Sequence, residues 1–260
     1  MDGLEGSVSM TAEVSGELTC WSGIVFGTTK GEVGVVNIDK CKTRTDGFFK
    51  VMLFQDTMIT SIATSGEWVC VGSEWIGEIA LLKYGAGTQG ALRLDAIKIL
   101  RGGEGYPQAK WMPRVPRNIQ AMALVPSADT VAVWHIGEFC GTPQCIVFPV
   151  EAPGPVEWGY VPQEQTSHEE WSLFSTISLI ALSDGERDYV LQCTLPGKHF
   201  SLWDARTGVK STKCGMPGFG GMGGDDGVQT TIVNVKKYNS STVECTLLGQ
   251  KEKLYWSVMV

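Results

Sequence analysis

The feature that most constrains this chain is a strand-and-turn pattern that recurs from end to end. Runs of five to eight residues rich in Val, Ile, Leu, Phe, Trp and Thr are each ended by Gly, Asp, Pro or Asn. That alternation of β-favouring runs and chain reversals is the signature of short strands. Against it, no window of 12 or more residues places apolar residues at i, i+3, i+4 and i+7 with a clear polar face. Composition agrees: 32 of 260 residues are glycine, which permits the positive φ of tight turns and costs about 1 kcal/mol inside a helix. At 43% hydrophobic and 19% charged the chain has apolar content for a large core and is not a disordered one.

The runs group into larger units. Ile59–Ala63, Trp68–Gly72 and Glu78–Tyr84 form one, with turns at Ser65-Gly66 and Gly77. Ile119–Ala123, Thr130–Trp134 and Cys145–Phe148 repeat it, as do Thr176–Ile180, Asp188–Leu191 and His199–Trp203 around an Asp184-Gly185 turn. Thr230–Val233, Thr242–Leu247 and Lys253–Trp256 form another, and Ile24–Thr28 with Glu32–Val36 an earlier one. The third strands begin near 33, 79, 146, 200 and 254, about 46, 67, 54 and 54 residues apart. Repeats of roughly 40–50 residues with three or four strands each are the blades of a β-propeller. Long loops over 102–117, 149–170 and 215–227 absorb the wider spacings, and the glycines fall in turns and in the 215–227 block.

Phe200-Ser201-Leu202-Trp203-Asp204-Ala205-Arg206-Thr207-Gly208 resembles the end of a WD repeat: a third strand, the Trp-Asp pair and the turn into an outer strand. Leu82-Lys83-Tyr84 and Tyr255-Trp256-Ser257 stand where the pair falls in two other units, and no Gly-His dipeptide opens any of them. The resemblance to the WD-repeat β-propeller family implies an all-β propeller with about five recognisable blades, in a single domain over 1–260. Seven blades would need about 290 residues. Either the strand-like stretch Ser7–Val14 closes the ring as the outer strand of the last blade, or the ring is incomplete and a partner finishes it.

Chemistry-bearing motifs are sparse. His135, His168 and His199 form no metal-ligand spacing, and neither a G-x-S-x-G elbow nor a Walker loop occurs. The glycine-rich run Gly215–Gly227 lacks a Gly-Lys-Ser/Thr ending, and its Asp225 and Asp226 would repel phosphate. The eight cysteines contain no C-x-x-C pair, and Cys70, Cys193 and Cys245 lie inside apolar strands, which reads as reduced, buried thiols. No metal, cofactor or catalytic residue is therefore expected. Glu32, Glu78 and Glu138 near strand starts are the acids that a propeller glycosidase would need around its channel.

The net charge of −7 disfavours nucleic acid, which needs a basic footprint. The exception is Lys110, Trp111, Arg114 and Arg117 on a proline-bearing loop, where cations and an aromatic coincide. Trp and Arg are enriched at interface hot spots, so these four are the expected contact residues. The function expected is a non-enzymatic scaffold binding other proteins in a multi-subunit complex. The alternatives are an RNA-associated propeller using the 110–117 loop and a glycoside-processing enzyme. The acidic start Met1–Glu5 and the absence of a long apolar segment suggest a cytoplasmic or nuclear protein with no membrane insertion.

Overall fold

The structure, a computed structural model, describes residues 7–16, 21–37, 48–74, 78–86, 92–100, 119–137, 143–149, 157–160, 176–195, 199–211, 232–248, 251 and 253–258. The described residues hold strands and turns, and none of their helices is long and apolar enough to cross a membrane. Sheet one orders β1 (Val8–Gly16), β2 (Trp21–Thr28), β3 (Glu32–Asn37) and β4 (Phe48–Met52). Sheet two orders β5 (Ile59–Ser65), β6 (Trp68–Ser73), β7 (Ile79–Ala86) and β8 (Leu92–Leu100). Sheet three runs from β9 (Ile119–Pro126) through β10 (Thr130–Gly137) and β11 (Gln144–Pro149) to β12 (Glu157–Tyr160). Sheet four holds β13 (Thr176–Ser183), β14 (Asp188–Leu195), β15 (His199–Asp204) and β16 (Lys210–Ser211). Sheet five holds β17 (Ile232–Lys237), β18 (Thr242–Leu247) and β19 (Lys253–Ser257). Within each sheet strands successive in the chain are neighbours, which keeps the loops that join them local.

The chain divides into two compact units, Met1–Cys140 with Ile146–Glu157, and Gly141–Cys145 with Trp158–Val260. In the first unit one device repeats between consecutive sheets. Ile59, fully buried, packs against Gly27 of β2, and Ile119, fully buried, packs against Gly72 of β6. A Cβ on Gly27 would lie 2.5 Å from the Ile59 Cγ2, and one on Gly72 would lie 2.8 Å from the Ile119 Cβ. Both glycines sit inside strands, where the absence of a side chain permits close approach. The first strands of sheets one and two carry register shifts between Val8 and Met10 and between Ile59 and Ser61. Bulges re-aim side chains. Here the Ser9 hydroxyl donates to the Ile59 carbonyl at 2.7 Å, and the Thr60 hydroxyl donates to the Ile119 carbonyl at 2.7 Å. Val25, Val33 and Val35 then join Val69, Val71 and Leu82 in a common core.

In the second unit Leu182, Leu191 and Leu202 of sheet four pack with Val235, Val243 and Trp256 of sheet five. The turn before β14 is built by Asp184, whose Oδ1 accepts from the amides of Glu186 (2.9 Å) and Arg187 (2.7 Å). The Tyr189 hydroxyl donates to its Oδ2 at 3.0 Å, and Gly185 takes the positive φ of 96° that the reversal requires. Asp204 caps the β15–β16 turn in the same manner, accepting from the amides of Arg206 (3.0 Å) and Thr207 (2.8 Å). The neighbouring Trp203 is buried and donates from Nε1 to Gln192 Oε1 at 3.2 Å.

Two sequence expectations need correction. The N-terminal strand does not complete the last sheet. It pairs with β2 from Val8↔Thr28 to Gly16↔Trp21, because a hairpin with the next strand closes far more cheaply than a contact across the whole chain. The stretch 149–170 is not all loop, since Glu157–Tyr160 forms β12. Cys70, Cys145, Cys193 and Cys245 are buried, as expected.

Two outcomes follow from this packing. Gly27→Ala drives a methyl into Ile59 and should cost roughly 1–3 kcal/mol, read from urea unfolding. Combined with Ile59→Ala it should cost less than the sum of the single changes, because the two side chains share one space. In native buffer, alkylation followed by peptide mapping should leave Cys70, Cys145, Cys193 and Cys245 unlabelled, since burial pushes the Cys70 thiol well up and that of Cys245 to about 11.

Candidate functional site

Sheet five has two unlike faces. Alternation along β18 sends Val243 and Cys245 into the core and leaves Thr242, Glu244 and Thr246 on the other side. The register brings Lys236 of β17 opposite Glu244, and Glu244 opposite Tyr255 of β19. Cross-strand neighbours in one row lie within side-chain reach. Glu244 is only 5% exposed, so its carboxylate needs partners. Lys253 donates to Oε1 at 2.8 Å, Lys236 approaches the same oxygen at 3.2 Å, and the Tyr255 hydroxyl donates to Oε2 at 3.1 Å. The Tyr238 ring meets Tyr255 edge-on, with centroids 4.9 Å apart and planes at 67°.

The groups around the buried carboxylate remain open to solvent. Tyr238 is 61% exposed and Tyr255 50%, and the side chains of Lys236 and Lys253 are 58% and 47% exposed. The row thus displays two tyrosines and two ammonium groups over one carboxylate, a local excess of positive charge on a chain of net charge −7. Charge-assisted hydrogen bonds fix the rotamers before anything binds. The hydrogen bond from Lys253 holds the Glu244 carboxyl below its ordinary range, and burial opposes this. The same bond raises Lys253, and the bond from Tyr255 raises its phenol.

The residues singled out from sequence fall elsewhere. Lys110, Trp111, Arg114 and Arg117 lie outside the described residues, as do Glu138, His168 and the run 215–227. Glu32 is buried and ion-paired with Lys50 across sheet one, and its amide donates to the Thr28 hydroxyl at 3.1 Å. The Glu78 amide makes the corresponding bond in sheet two, donating to the Ser73 hydroxyl at 3.1 Å. The two acids therefore occupy matching positions at the entry to the third strand. His135 is fully buried in β10, and His199 opens β15 opposite Thr194. Sequence reasoning missed the Lys-Tyr-Glu row. The signal was present as period-two spacing, Lys236 on β17 with Tyr238 just past its end, and Lys253 with Tyr255 on β19.

Titration should expose this row. Glu244, with a depressed folded pKa, contributes stability above its unfolded pKa of about 4.3 and loses it as pH falls through the folded value. Lys253 and Tyr255, with raised values, contribute below their unfolded pKa values of about 10.4 and 10 and lose it as pH rises through the folded ones. Glu244→Gln should lower stability at neutral pH and flatten the acid limb of a stability–pH curve. Tyr255→Phe should remove a late-ionising phenol from the absorbance titration near 295 nm.

No protein-family model matches the chain, and no curated protein matches its sequence. Among solved structures, the N-terminal domain of Nup159, a β-propeller, matches at a TM-score of 0.51 and 9% identity, over 94% of this chain and 63% of that one. The S. cerevisiae core factor matches at a TM-score of 0.49 and 8% identity, over 97% of this chain and 39% of that one. The dihydro-heme d1 dehydrogenase NirN in complex with DHE gives a TM-score of 0.43 and 14% identity, over 91% and 44%. The chain thus spans less than two thirds of the length of each. At these identities the Nup159 likeness speaks to fold alone, and the fold is all-β and propeller-like.

Proposed function

We propose that this chain is a non-enzymatic scaffold of the WD-repeat type that binds other proteins within a multi-subunit assembly. The observation that carries the reading is the outward row of sheet five. Tyr255 and two exposed lysines are held by a buried carboxylate, and the exposed Tyr238 ring meets Tyr255 edge-on. Aromatic residues at low entropic cost and oriented cations are what an interface core uses. The Trp203-Asp204 turn, with its capped amides and buried indole, supports the WD assignment. The Glu32 carboxylate, committed to Lys50, supports a structural use for one of the acids a channel enzyme would need.

The test is affinity purification of the tagged protein beside a Tyr238→Ala, Tyr255→Ala variant of matched thermal stability. Partner proteins should be recovered at fixed stoichiometry with the parent chain. Recovery should fall about thirtyfold with the variant if the pair is worth roughly 2 kcal/mol, as hot spots are. Recovery unchanged by the variant would remove the row from the interface. Recovery of RNA that disappears steeply with salt would transfer the function to the Lys110–Arg117 segment.

A further inference from the structure

We propose that β19 is a docking edge for an extended segment of a partner protein, one in which apolar residues alternate with acidic ones. The proposal rests on the scaffold reading and narrows it to one mode of recognition. Four sheets carry a fourth strand beside the third, and in sheet five β19 is itself the edge among the described residues. An edge strand offers a row of backbone donors and acceptors, and an added strand takes its affinity from them and its specificity from alternate side chains.

The chemistry of the incoming strand can be read from both faces of β19 and from sheet one, where the comparable pairing is made. There β4 sets Val51 opposite Val33 and Phe49 opposite Val35 on the core side. On the other side it sets Lys50 opposite Gly34, from where its ammonium reaches the carboxylate of Glu32. The fourth strand therefore continues the apolar core with every second residue and meets the sheet's charge with the others. On β19 the core-side residues are Leu254, half-buried against the second unit's core, and Trp256, buried in it. An incoming strand needs apolar residues opposite these two. The other side presents Lys253, Tyr255 and Ser257, with Lys236 two strands in. The sign is the reverse of sheet one: the acid, Glu244, is already neutralised within the sheet, and the exposed groups are cations and hydroxyls. The residue opposite Lys253 is therefore acidic in a matched partner, since opposite charges across strands stabilise and like charges do the reverse.

The probe is an end-capped seven-residue peptide alternating valine with glutamate, added to the intact chain. Amide exchange at Lys253–Ser257 should slow about twofold or more at about 1 mM peptide, the occupancy expected of a short strand with a dissociation constant near that value. Lys253→Gln should weaken the effect. Because that change also touches Glu244, the peptide itself supplies the decisive arms. Replacing glutamate by lysine, or the central residue by proline, should abolish protection. Protection that is absent with the acidic peptide, or equal with the lysine or proline peptide, overturns the proposal. So does protection that grows with protein concentration in the absence of peptide, accompanied by dimer in sedimentation, which would make the occupant a second copy. Partners recovered through Tyr238 and Tyr255 while Lys253–Ser257 exchanges freely would refute this edge and leave the scaffold reading standing.

Discussion

The branched side chain of Ile59 lies on the bare backbone of Gly27, and Ile119 lies on Gly72 in the same manner. These contacts set how closely the sheets of the first unit approach. A side chain at either glycine would push the sheets apart and uncover the valines that meet between them. The bulges at Ser9 and Thr60 belong to the same device. By turning a hydroxyl toward the next sheet's carbonyl, each places a directional bond beside a non-directional one. Hydrophobic burial holds the sheets together, and the hydrogen bonds fix their register.

Charge is handled differently from sheet to sheet. In sheet one a lysine from the fourth strand meets the acid of the third. In sheet five the acid lies on the second strand and takes its cations from both sides, Lys236 and Lys253. A buried carboxylate satisfied three times over leaves its partners anchored at one end and open at the other. That geometry limits the rotamers open to Lys236, Lys253 and Tyr255.

Much of the strand order was legible because period-two runs and turn residues are local signals. The third strands anticipated near 33, 79, 146, 200 and 254 correspond to β3, β7, β11, β15 and β19. Two of the fourth strands were not legible because they are too short for any periodicity: Glu157–Tyr160 is four residues long and Lys210–Ser211 only two. Lysines hid the far half of β17, since Lys236 and Lys237 do not resemble a β-run. Glycines were read as turn residues, which suits Gly185 but not Gly27 and Gly72. Their role depends on isoleucines 32 and 47 residues further on, and no local pattern reveals a neighbour at that distance. The Lys-Tyr-Glu row escaped for the same reason, since it exists only once three strands are in register.

The hydroxyl bonds from Ser9 to Ile59 and from Thr60 to Ile119 each point forward along the sequence, to the sheet that comes next. They span 50 and 59 residues, one sheet ahead in each case. Each first strand that carries Ile59 or Ile119 leaves the ribosome after the glycine and the hydroxyl it meets. Assembly of the first unit can therefore follow the ribosome sheet by sheet, each of these contacts reaching only to the next sheet.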